Sequence, residues 1–245
     1  MEESVIQRLL SLNQQFYQRF AGAFSATRQR IQPGVRRLLP RMAESPRLLD
    51  LGCGNGGLGA EWLKLNPSGE YWGLDASIEL LREARRLLGQ KPQIHLQPAD
   101  LGQPGWAESL PPGNWGLITA FASLHHIPGF ACRLRLLQET ASLLPAGGVF
   151  IFSAWQFQNS PRLLERIQPW SAAGLTDANV EEGDTLLDWR AFLPGQPEQS
   201  GLRYVHQFSS AELDELAAGC GLTRIEEFES DGEGGRLGLY QVWIK

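Results

Sequence analysis

The chain of 245 residues carries 22 Lys+Arg against 27 Asp+Glu, a net charge of −5, with 42% hydrophobic and 20% charged residues. This is the composition of a globular protein with a sizeable core, and it excludes a disordered, fibrous or uniformly basic chain. No run approaches 18 apolar residues, and Met1-Glu2-Glu3-Ser4 is acidic where a secretion signal is basic. Three scattered cysteines (Cys53, Cys132, Cys220) form neither a disulfide framework nor a metal pair. A reducing cytoplasm fits, with no membrane, DNA or metal partner expected. The charge is graded: the first 47 residues hold eight Arg and three Glu, the last 70 five basic and fourteen acidic residues.

In chain order, Val5, Leu9, Leu12, Phe16 and Phe20 predict an amphipathic helix over 4–24. From about residue 46 short apolar runs alternate with helical patterns. Strands are predicted at Arg47–Leu51, Tyr71–Leu74, Ile94–Leu96, Leu117–Phe121 and Val149–Phe152. Helices are predicted over Leu58–Leu65, from a Ser77 cap to Leu88, and over Ala131–Leu144. That rhythm implies parallel βαβ units. Residues 156–207, rich in Pro, Gly and Gln, read as an insertion over the active face. Ser209-x-x-Glu212 is a capping box opening a helix to Cys220, and Thr223–Phe228 with Leu237–Ile244 reads as a terminal hairpin.

The first strand runs into Asp50-Leu51-Gly52-Cys53-Gly54-Asn55-Gly56-Gly57, a glycine loop opening a helix. It satisfies both GxGxxG and DxGxGxG, and charge decides between them. A dinucleotide brings an anionic pyrophosphate that Asp50 would repel. S-adenosylmethionine brings an ammonium and a sulfonium that Asp50 would hold, directly or through water. Asp75, closing the second strand, can take both ribose hydroxyls, and Asp100, after the third, can accept from the adenine amino group. Three carboxylates closing three successive strands form one row along a ligand crevice, though each alone is also a common helix cap or turn residue.

Residues 46–155 thereby resemble the class I S-adenosylmethionine-dependent methyltransferases. The resemblance implies an α/β fold: a doubly wound, Rossmann-like, seven-stranded, mostly parallel sheet with an antiparallel last strand. It implies contacts from Gly52, Gly54 and Gly56 to the methionine and ribose portions, from Asp75 to ribose, and from Asp100 with Leu101 to adenine. Trp115-Gly116 stands where that family often has an acid before the fourth strand. One methyltransferase domain over 1–245 is expected: a helical extension (1–45), a cofactor-binding core (46–155), an insertion or lid (156–207) and a last helix with hairpin (208–245).

Segments outside the core are similar to a narrower family, the wobble-uridine tRNA methyltransferases that act on the carboxylate of 5-carboxymethyluridine. They are Phe24-Ser25-Ala26-Thr27-Arg28, Phe152-Ser153-Ala154-Trp155-Gln156, Gly183–Trp189 and Arg203-Tyr204-Val205-His206-Gln207-Phe208. Ala23, Asp188 and Val205 depart from that family's His, Pro and Tyr. The resemblance implies tRNA as partner, with a small activator subunit as in the eukaryotic relatives.

A carboxylate is ionised at neutral pH and needs no base, but it needs a cation. Arg28 and Arg203 are candidates for that grip. Trp155, Trp189 and Tyr204 can stack an extruded base, and His206 joins them as a substrate-side residue. His125, in the Ser123-Leu124-His125-His126 turn, is the candidate base, against a positioning or packing role. The alternatives for the same residues are a small-molecule O- or N-methyltransferase and, third, a cofactor-binding interaction protein without chemistry.

Overall fold

The computed structural model describes residues 1–27, 30–113, 115–191 and 198–245, with only the backbone of Phe24, Thr27 and Ala191. Two helices come first, α1 (Glu3–Thr27) and α2 (Pro33–Met42). The alternating segment follows as β1 (Arg47–Leu51), α3 (Gly57–Leu65), β2 (Glu70–Asp75), α4 (Ile78–Leu88), β3 (Ile94–Pro98), β4 (Leu117–Phe121), α5 (Phe130–Leu143) and β5 (Val149–Trp155). Then come α6 (Pro161–Leu164), β6 (Ile167–Gln168), β7 (Asp184–Ala191), β8 (Gln199–His206), α7 (Ser210–Cys220), β9 (Thr223–Ser230) and β10 (Gly238–Ile244).

Seven strands form one sheet in the order β3-β2-β1-β4-β5-β10-β9. Strands β1 to β5 pair in parallel, while β10 runs antiparallel to both β5 and β9. This is the expected doubly wound sheet, and the terminal hairpin forms its far edge.

Side-chain alternation divides the core into two layers. Leu49, Phe150, Phe152 and Trp243 pack with α5 and α7 on one face. Leu48, Ile151, Tyr240 and Val242 pack with α2, α3 and α4 on the other. Trp115 is fully buried beneath the Arg47 guanidinium, 4.2 Å from its ring centroid, and Arg47 pairs with Glu70 at 2.7 Å. An aromatic–cation contact thus occupies the position where an acid was noted as missing.

The insertion is more regular than its composition suggested. β6, β7 and β8 form a second, antiparallel sheet. In β7 both Leu186 and Leu187 are buried, the first against Val5 and Leu9 of α1, the second against Phe157. Covered on both faces, the strand shows no period-two polarity, so the pattern concealed it. α1 lies along the free edge of β8. There the Asn13 side chain accepts from the Tyr204 N–H at 2.8 Å and donates to its carbonyl at 3.0 Å, taking the place of a neighbouring strand.

The charge gradient closes on itself. Arg37 and Arg41 of α2 pair with Glu226 of β9 at 3.1 and 2.9 Å, and Arg37 also lies 3.8 Å from the Phe228 ring centroid. Part of the basic first segment therefore neutralises part of the acidic last one. These pairs are exposed and contribute little stability each.

Candidate functional site

A cavity of about 350 Å³ opens at the C-terminal ends of β1 to β5, under α1. All seven residues expected at a cofactor stand at this edge, and Asp50, Gly52, Gly54, Asp75, Asp100 and Leu101 line the cavity. Gly56 sits behind the loop as the N-cap of α3.

The loop is held by its backbone. The N–H groups of Gly52 and Cys53 both donate to the Leu74 carbonyl, at 2.8 and 2.9 Å. Gly52, Gly54 and Gly56 have φ of +74°, +55° and +78°, the left-handed region in which a Cβ clashes with the backbone. A Cβ on Gly54 would meet no protein atom within 4 Å. That stretch of backbone faces the cavity and is a cradle for a ligand.

Asp75 uses each carboxylate oxygen on the loop and the next helix, accepting from Gly54 N–H at 2.9 Å and Ser77 N–H at 2.8 Å. Burial raises its pKa, and those two N–H bonds hold the rise in check. Asp100 accepts from Gly102 N–H at 2.9 Å. Asp50 is buried, accepting from the Tyr71 hydroxyl at 2.7 Å and from Thr119 Oγ1 at 2.9 Å. Burial pushes its pKa up to about 6 despite those bonds, and the neighbouring Asp75 charge adds to the rise. The donor set is chemically apt for a cation beside a diol. Among the described residues no group of three or more His, Cys, Asp or Glu is arranged for a metal, and no helix is long and apolar enough to cross a membrane.

Beyond β1 the sheet continues to β4 and β5, and there the cavity wall changes character. Ala122 has φ +51°, an uncommon conformation for a residue with a Cβ, and its N–H donates to Ser153 Oγ at 3.0 Å. The turn that follows carries His125, 2% exposed, whose Nδ1 accepts from the Trp155 N–H at 3.3 Å. Trp155 also lines the cavity, and the Arg203 guanidinium lies 4.6 Å from its ring centroid and 5.6 Å from that of Phe16. Arg203 is 5% exposed and lines the same cavity from β8. His125, Trp155 and Arg203 are thus brought together.

Other expected residues are not. Arg28 lies outside the described residues; among the described residues of that connection, Arg30 lines the cavity. Trp189 packs against Phe16 and Phe20 of α1, at 5.4 and 5.1 Å between ring centroids, away from the cavity. Tyr204 is fully buried and donates its hydroxyl to Asp184 at 2.6 Å, leaving no face for a base to stack on. His206 is 1% exposed, with its two ring nitrogens 2.7 Å from Asp184 and 2.8 Å from Glu212. The expected capping box is half made: Glu212 N–H donates to Ser209 Oγ, but the Glu212 carboxylate turns to His206 and to Arg133 at 2.9 Å.

With carboxylates on both nitrogens, His206 is held as an imidazolium. Burial pulls its pKa down, but the bonds to Asp184 and Glu212 outweigh that and raise it. A raised histidine pKa adds stability that is complete below the ordinary value of 6.5 and is lost as pH rises through the folded-state value. His206→Ala leaves buried carboxylate charge uncompensated and is expected to cost about 3–5 kcal/mol. Urea unfolding of the two proteins measures it; a loss below about 1 kcal/mol would show the cluster to be well solvated.

Several lining residues belong to no motif in the sequence. Asn13 and Tyr17 of α1, Arg30, and the Asp231–Tyr240 pair all contribute to the wall. Asn13 was detectable in principle: it is a buried polar residue on the helix face that holds Leu9, Leu10 and Phe16.

A family profile described as a methyltransferase domain matches residues 49–150. A tRNA (carboxymethyluridine(34)-5-O)-methyltransferase of Schizosaccharomyces pombe is 25% identical over 86% of this chain and 89% of its own length. A trans-aconitate 2-methyltransferase of Azoarcus sp. is 34% identical over 56% of this chain, which spans about half, 52%, of that relative. Among solved structures, an S-adenosylmethionine-bound amino pentose methyltransferase from Micromonospora echinaspora shares the fold. It has a TM-score of 0.61 at 20% identity, covering 93% of this chain and 97% of that one.

Proposed function

Because the chain is an S-adenosylmethionine-dependent methyltransferase, we propose that it esterifies a carboxylate, with the carboxymethyl group of a modified wobble uridine in tRNA as acceptor. The observation that carries this reading is Arg203, a nearly buried guanidinium stacked on Trp155 and facing the cavity. A planar cation in that setting suits a carboxylate. The acceptors named for the two relatives, carboxymethyluridine and trans-aconitate, both carry carboxylates.

S-adenosylmethionine supplies, when bound, a methyl group activated by its sulfonium. Asp50 would hold the cationic end, Asp75 the ribose hydroxyls, and Asp100 with Leu101 the adenine. With adenine at β3 and ribose at β2, the methyl end would lie toward β4 and β5. The acceptor side is therefore His125, Trp155 and Arg203. Arg203 aligns an already ionised oxygen, and α1 excludes water.

Purified protein given cofactor with a labelled methyl group should transfer it to tRNA bearing 5-carboxymethyluridine, as an ester that alkali releases. A second reading, a free small carboxylic acid as acceptor, is favoured by the pairing of α2 arginines with β9, which reduces the surface cation available to RNA. Transfer to trans-aconitate and similar acids, with none to the tRNA, would replace the first reading by the second.

The Asp50 pKa of about 6 yields a further expected result. The cation needs the ionised carboxylate, so cofactor affinity should be level above about pH 6 and weaken below it, by up to about tenfold per pH unit. For folding alone the sign is opposite: this group's contribution is complete below 3.8 and is lost as pH rises through about 6. Calorimetric titration across that range tests it, and a flat affinity would remove Asp50 from the cation's surroundings.

A further inference from the structure

We propose that Tyr17 and His126 form a proton relay on the acceptor side, and that the protein thereby also methylates the hydroxyl oxygen of hydroxy acids. The proposal rests on the reading of Arg203 as the carboxylate holder: the same guanidinium would grip such an acceptor by its carboxylate and present its hydroxyl.

The hydrogen-bond geometry around His126 supports the relay. His126 Nδ1 lies 3.0 Å from the Tyr204 carbonyl oxygen, which can only accept, and 3.4 Å from Asn13 Nδ2, which can only donate; the shorter contact assigns the proton to Nδ1. In the neutral ring Nε2 then has the lone pair, and the Tyr17 hydroxyl, 2.7 Å away, donates to it. The arrangement is braced. Asn13 fixes the Tyr204 peptide through its N–H and C=O, and Ser77 Oγ donates to the Tyr17 carbonyl at 3.3 Å. His125, whose ring centroid is 4.3 Å from that of His126, is wired the other way. Its Nδ1 accepts from Trp155 N–H, so its proton sits on Nε2 and it presents a donor. Of the paired histidines, His126 holds its basic nitrogen toward a residue of the cavity wall. Tyr17, His126 and Arg203 all line that cavity.

A hydroxyl is a poor nucleophile until its proton leaves, unlike a carboxylate. As the acceptor oxygen bonds to the methyl carbon, the carbon–sulfur bond breaks and its electron pair returns to sulfur. The acceptor proton passes to Tyr17 Oη while the Tyr17 proton passes to His126 Nε2. His126 becomes an imidazolium, its Nδ1–H still donated to Tyr204, and later releases the proton to solvent. Tyr17 is the catalytic residue, and His126 acts through it.

The test uses 3- and 4-hydroxybenzoate as probes with cofactor carrying a labelled methyl group. Methyl esters are released by alkali and methyl ethers are not, so each acid reports both products. Wild type is expected to form both. Tyr17→Phe and His126→Gln should each lower the ratio of ether to ester by about 100-fold or more. Gln is informative because its side-chain oxygen can still accept from Tyr17 but cannot take the proton. Nitrogen-15 NMR of the protein adds a readout apart from turnover: His126 should be protonated at Nδ1, and Tyr17→Phe should shift its Nε2 resonance. Absence of any alkali-stable product, equal losses of ether and ester, or a proton on Nε2 would each overturn the relay. Absence of ester on the acids and on tRNA alike would instead overturn the carboxylate reading.

Discussion

Replacing Arg203 with Met should lower methyl transfer to a carboxylate acceptor by about two to three orders of magnitude while leaving cofactor affinity within about twofold. Truncating one partner of a buried, hydrogen-bonded charge pair costs about 2–5 kcal/mol, and each 1.36 kcal/mol is about tenfold in rate. Met is chosen because its thioether can keep the contact with the Trp155 ring, so packing is largely spared. Arg203→Lys should recover little, since an ammonium offers neither the flat stack nor the fork of donors. Single-turnover rates and cofactor binding, measured on the same preparations, decide the matter. A parallel loss of both would make Arg203 part of the framework instead.

The second large effect separates two glycines that look alike in sequence. Gly52 and Gly54 both adopt positive φ, so Ala costs each about 1–2 kcal/mol of backbone strain. Their surroundings differ. A Cβ on Gly52 would lie 2.5 Å from Ser123 Cβ, and Ser123 is anchored by its hydroxyl to the Leu51 carbonyl at 3.0 Å. Gly52→Ala must therefore displace either the loop or the β4 turn, and should lose stability and cofactor binding together, binding by about 100-fold for a 2.7 kcal/mol misfit. Gly54→Ala meets open space and should lose binding with only the strain penalty in stability. Thermal unfolding beside calorimetric binding distinguishes them. Equal unfolding midpoints would show that Ser123 gives way easily.

The glycine-and-carboxylate edge of the cavity was legible because local chain chemistry dictates it. A strand, a glycine turn and a helix occupy consecutive residues, and each carboxylate closes its own strand. The opposite wall of the cavity, proposed for the acceptor, is assembled from residues 17, 30, 125, 126, 155 and 203, which no spacing rule connects. Strand geometry also divides a block that reads as one motif. In Arg203-Tyr204-Val205-His206 alternate residues point to opposite faces, so Arg203 reaches the cavity while Tyr204 and His206 enter the buried cluster with Asp184. A four-letter resemblance cannot say which alternate faces the ligand. Trp189 was misplaced for a related reason: the helix over 4–24 was visible, but not that Phe16 and Phe20 would cover that ring. The acidic last segment is partly neutralised in the fold by the arginines of α2, a pairing that composition alone does not show.

Asn13 has a consequence for how the site can open. β8 is the outer strand of its sheet, and a bared strand edge is a template for pairing with another chain. The Asn13 amide and the rest of α1 cover that edge, and the same helix roofs the cavity with Tyr17. Any swing of α1 that admitted a large acceptor would therefore strip β8 at the same moment. Admission of substrate and exposure of an adhesive edge are one event, so a bulky acceptor is best threaded in past a helix that stays seated. Solubility, as much as catalysis, then constrains the residue at position 13.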